Sequence, residues 1–135
     1  MTTISPRQLE QALRACSRGI RHHEAGTSLL IECGHWLHRD DFTSRFIEHG
    51  TSEGILMAAI DWDAASTALR AGRLPASSGE RRTLLLAASI ADGVPVSLSD
   101  TLVGIDRRTA GLVVSAVARA TGLQDQETDK RYENG

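Results

Sequence analysis

The chain has 135 residues, of which 41% are hydrophobic, 24% charged and only 4% aromatic, with a formal net charge of −2. That balance excludes wholesale disorder, which needs low hydrophobicity and high net charge, and it excludes a generally cationic nucleic-acid binder. No apolar run is long enough to span a bilayer, the longest being Ile55 to Ile60 and Leu84 to Ala88. Met1 to Glu10 lacks the apolar centre of an export signal, so the expected location is the cytoplasm. The basic charge is almost all arginine, fourteen against the one lysine Lys130, and alanine is abundant. Such usage is that of a GC-rich, bacterial coding genome.

The first expected helix is Pro6 to His22, opened by Ser5 as cap with Pro6 at the first helical position. Leu9, Ala12, Leu13, Cys16 and Ile20 recur at helical spacing and form its expected buried face. Gly26 is read as the break before a second helix, Thr27 to His38, with Leu30, Cys33, Gly34 and Leu37 in its stripe and Leu29 and Trp36 on the flank. The two are expected to form an antiparallel hairpin, with Cys16 and Cys33 as buried thiols. A third helix, Asp41 to His49, buries Phe42 and Phe46. Periodicity alone does not decide Ile55 to Ile60. With no second convincing strand to pair it, helix or extended loop is favoured, unless a two-fold-related copy supplies the partner.

Four further helices follow. Trp62 to Ala71 uses Trp62, Ala65 and Leu69. Gly79 to Asp92 carries Leu84, Ala87, Ala88 and Ala91 behind the capping box of Ser77 and Glu80. Leu98 to Val103 is short. Arg107 to Thr121, capped by Asp106, has Ala110, Val113, Val114, Val117 and Ala118 in phase, with Leu112 and Ala116 widening the arc. A helix apolar over so much of its girth is central or shared with a partner. The stretch Trp62 to Gly122, with Arg73-Leu74-Pro75, Gly79-Glu80-Arg81-Arg82 and Leu84 to Gly93, resembles small proteins of high-GC bacteria, a likeness that implies no activity. The fold class expected is mainly α: one compact bundle of about six helices over residues 1–122, with one short strand at most (55–60). Residues 1–122 hold thirteen acids and thirteen bases. The segment 123–135 is an acidic tail, expected to be disordered.

Three groups of residues are candidates for function. Arg7, Arg14, Arg18 and Arg21 recur every three or four residues opposite the oily face of the first helix, and they are the expected partner-binding residues. An acidic partner, phosphates or the chain's own acidic tail would suit them. The segment Leu98 to Thr121 has the length of a helix-turn-helix, and Arg107, Arg108 and Thr109 would then meet DNA. The neutral footprint disfavours nucleic acid. His35 and His38, three apart, are candidate metal ligands near His22, His23 and Cys33, but the spacing fits no zinc pattern. Helix C-termini, where positive charge suits the dipole, are the plainer account of these histidines.

The acid pairs Asp40/Asp41 and Asp61/Asp63 belong to helix starts. Neither a nucleophile elbow nor a phosphate-binding glycine loop is present. The expectation is therefore a non-catalytic interaction protein needing no cofactor. Its partner would be another protein or a second copy of itself as a homodimer, and not a membrane. A small DNA-binding regulator and a metal-binding protein are the alternatives.

Overall fold

A computed structural model describes residues 4–123. In chain order it has α1 (Pro6–Ser17), α2 (Arg21–Cys33), a 3₁₀ turn (Trp36–His38), α3 (Asp40–Phe46), β1 (Ile47–Ser52), β2 (Ile55–Ile60), α4 (Trp62–Arg70), α5 (Ser78–Asp92), α6 (Leu98–Leu102) and α7 (Arg107–Thr121). The mainly helical class holds. The described residues form seven α-helices, one for each helical segment read from the sequence though with shifted bounds, and an antiparallel hairpin that was not expected. The acidic tail lies outside the described residues from position 124 onward. No helix among the described residues is long and apolar enough to cross a membrane.

The break between the first two helices falls at Gly19, not at Gly26. Arg18 leaves helical geometry at ψ 133° and Gly19 adopts φ +90°, a left-handed conformation that only glycine takes without strain. Its N–H donates to the Glu24 carboxylate at 3.0 Å. Gly26 instead lies buried in the middle of α2. Because α1 stops at Ser17, Cys16 and Ile20 do not join the buried stripe and are exposed. Likewise α2 ends at Cys33, before His38, and Trp36 turns inward to full burial in the separate 3₁₀ turn.

The third helix ends at Phe46, not His49, and the chain enters β1 directly. β1 pairs with β2 in the register Ile47↔Ile60 to Ser52↔Ile55. The reading of Ile55 to Ile60 as helix or loop is thus corrected, and its partner lies in the same chain. Glu53 and Gly54, at φ 51° and 80°, make the two-residue turn whose twist suits an antiparallel pair. β1 lacked an oily alternation to reveal it, since only Ile47 is buried.

α2 is the central element. It packs on α5 and α7 and touches α1 and the 3₁₀ turn, while α1 also covers β2. Leu29 and Leu30 of α2, Leu84, Ala87 and Ala91 of α5 and Leu69 of α4 are sealed from solvent. The small side chains bring α2 and α5 close at Gly26. Ser5, Asp61, Ser77, Ser97 and Asp106 each accept an N–H of the helix they precede, which satisfies donors otherwise left bare. Asp40 is not such a cap. It sits in the first turn of α3, and Arg39 precedes the helix.

Candidate functional site

Much of the arginine is structural. Arg108 donates to the Glu32 carbonyl at 2.7 Å and Arg81 to that of Leu69 at 3.1 Å. These carbonyls lie in the last turns of α2 and α4, where helices leave acceptors unfilled. Arg39, Arg45 and Arg70 likewise tie the carbonyls of Pro75, Arg73 and Pro95. These long-range ties leave no mark in the periodicity of the sequence.

Of the proposed partner-binding stripe, Arg7, Arg14 and Arg18 lie exposed on α1 or its end. Arg21 is separated from them as the first residue of α2, and its guanidinium lies against Gly122 at the end of α7. Arg14 turns to Ser28 Oγ at 2.9 Å and makes no ion pair with Glu10 among the described residues. Arg119 of α7 donates to the same hydroxyl. Nothing in the sequence joined residues 91 positions apart.

The DNA-reading candidates open α7. Arg107 and Arg108 are exposed and Thr109 is half-buried. Arg108 is committed to Glu32. The Thr109 N–H donates to Asp106 Oδ1 at 2.6 Å, and that bond holds the Asp106 carboxyl below the usual range. α6 rests on α5, whereas α7 lies mainly along α2.

The histidines do not gather. The rings of His22 and His23 lie tilted against each other, centroids 4.7 Å apart, in the first turn of α2, a helix start and not the expected helix end. His38 is exposed at the close of the 3₁₀ turn. Cys33 Sγ donates to the Leu30 carbonyl at 3.0 Å, and burial pushes its thiol up. No three His, Cys, Asp or Glu side chains among the described residues are placed to hold one metal ion.

His35 has a different attachment. Its Nδ1 meets Glu80 Oε2 at 2.7 Å, and the neighbouring Trp36 Nε1–H donates to the Glu80 carbonyl at 3.1 Å. Glu80 also completes the capping box, accepting the Ser77 N–H at 2.8 Å. One residue thereby pins the 35–38 turn to the start of α5. Ser77, above all, and then His35 and Arg39 hold its carboxyl below the ordinary glutamate range. A carboxyl depressed in the folded state adds stability above its unfolded pKa, and that stability is lost as pH falls through the folded pKa. Unfolding in urea at a series of acidic pH values should therefore show stability falling through that window. The fall should be shallower in Glu80→Gln, whose amide still accepts the Ser77 N–H.

The largest cleft among those described lies between α5, α6 and α7. Its volume is about 500 Å³ and it is lined by Leu86, Ile90, Leu98, Leu102, Val114 and Val117, with no charged side chain among the described residues of its wall. Leu98 and Val114 are 61% and 68% exposed, and Val103 beside them is 66% exposed. α7 buries Val113 and Ala116 against the core. Val114 and Val117, expected in the same buried stripe, instead face the groove. The wide apolar arc of α7 was the one signal in the sequence for this surface. No family model, curated protein or solved structure matches the chain.

Proposed function

We propose that the protein is a non-catalytic interaction module that pairs with a second copy of itself through the groove of α5, α6 and α7. The apolar wall of that groove, uncharged among the described residues, carries the reading. Exposed apolar surface gains about 25 cal/mol per Å² when covered, and homodimer interfaces are more apolar than transient ones. The exposed Leu98, Val114 and Val117 of the groove can be covered by the same patch of a second copy, because a two-fold axis sets one surface against itself. Residues 1–122 balance thirteen acids with thirteen bases and the whole chain carries only −2, so the net repulsion between two copies is small. The neutral balance of residues 1–122, which lacks the basic footprint of a nucleic-acid binder, favours this reading over DNA binding by Arg107, Arg108 and Thr109.

Light scattering should give a mass of two chains that falls on dilution. Val114→Asp with Val117→Asp should give a single chain with unchanged helical circular dichroism, since both positions are exposed. A wild-type chain that stays single near about 1 mM, where an association of about 4 kcal/mol would already show, overturns the proposal.

A further inference from the structure

Ser28 is an unusual meeting point. Its hydroxyl, on a residue only 5% exposed, accepts from the guanidiniums of both Arg14 and Arg119. These come from α1 and α7, at opposite ends of the chain, and Arg18 lines the same small cleft. Three positive charges thus face one negative charge, that of Glu24. Glu24 Oε1 accepts the Gly19 N–H, and none of Arg14, Arg18 and Arg119 is ion-paired among the described residues.

Two guanidiniums drawn to one neutral oxygen repel each other. At about 4 Å that repulsion is about 1 kcal/mol in a water-like medium and about 4 kcal/mol near a protein surface. A hydroxyl dipole does not neutralise two cations. A doubly charged oxyanion does, and it converts the repulsion into charge-assisted, fork-like hydrogen bonds. Each guanidinium has five N–H donors and spends one on Ser28. The cleft encloses about 130 Å³. One water needs only about 10–15 Å³ of such space, so a single tetrahedral group of four oxygens fits.

We infer that Arg14, Arg18, Arg119 and Ser28 form a binding site for a dianionic tetrahedral oxyanion, a phosphate or the phosphoryl group of a phosphomonoester. The site joins α1, α2 and α7, so its occupant would clamp the end of α7 to the start of the fold.

The test is calorimetric titration of the full chain with inorganic phosphate and, separately, with O-phosphoserine, against chloride at matched ionic strength. Saturable phosphate binding that chloride does not reproduce is expected. Arg14→Gln and Arg119→Gln should each weaken it about tenfold, the loss of one charge-assisted hydrogen bond. Arg7→Gln removes the same charge from the same helix outside the cleft and should leave affinity within about twofold, as a screened distant charge would. Arg14 and Arg7 are exposed, so this pair decides the matter even if Arg119→Gln fails to fold. Tighter phosphate than phosphoserine indicates the free ion as ligand, and the reverse order indicates a phosphoryl group on a larger molecule. Binding no stronger than chloride, or an equal loss in Arg7→Gln, overturns the site.

Discussion

Gly26→Ala is expected to destabilise the fold by about 3 kcal/mol, although the same exchange in an open helix stabilises by up to about 1 kcal/mol. A β-carbon at Gly26 would lie 2.5 Å from Ala91 Cβ, 2.6 Å from the Ala87 carbonyl oxygen and 2.7 Å from the Ala91 nitrogen. Two of these atoms are backbone, so no side chain can rotate aside. α2 and α5 must part, and Ala87, Ala88 and Ala91, all sealed from solvent, lose contact together. Overpacking of a tight interior costs about 1–3 kcal/mol and sometimes more, which outweighs the gain in propensity. Gly111→Ala provides the contrast, because nothing lies within 4 Å of a β-carbon there. Urea unfolding should show opposite signs for the two variants. Equal stability of Gly26→Ala and the parent would show that the helices do not cross this closely.

Trp36→Ala should cost about 3–5 kcal/mol, the range for emptying a buried aromatic site. The indole is fully buried. It packs on Phe42 at 5.2 Å between ring centroids and lies beneath the Arg39 guanidinium at 4.8 Å. It also donates to the Glu80 carbonyl. Trp36→Phe separates the contributions: it keeps most of the volume but loses the indole N–H bond to a carbonyl that stays paired within α5, at a cost of about 0.5–1.5 kcal/mol. Thermal unfolding followed by circular dichroism should rank the parent above Trp36→Phe and Trp36→Phe above Trp36→Ala. If Trp36→Ala were within about 1 kcal/mol of the parent, the 35–38 turn could not be the anchor described.

The C-terminal half was more legible in the sequence than the N-terminal half, for a physical reason. Ser77 with Glu80, Asp61 and Asp106 are local signals, each acting within four residues, and α4, α5 and α7 begin within a residue of where those caps place them. Gly19 and Gly26 look alike as letters. One relaxes a left-handed turn and the other makes room for a neighbouring helix, and only the tertiary contact with Ala87 and Ala91 distinguishes them. β1 was hidden because five of its six residues face solvent. The arc of α7 was visible as too wide, but which valines face outward depends on where α2 lies. Arg14 and Arg18 could be singled out as a charged face, whereas Arg119 and Ser28 could not, since their convergence depends on the packing of three helices.

The central position of α2 has a consequence for how the molecule unfolds. Its neighbours come from both ends of the chain, α1 before it and α5 and α7 far after it, so no contiguous fragment holds a complete interior. Fragments cut anywhere between α2 and α7 would each expose half of a shared surface. An all-or-none transition is therefore expected, slowed by the need to close chain loops that reach from α2 to α7.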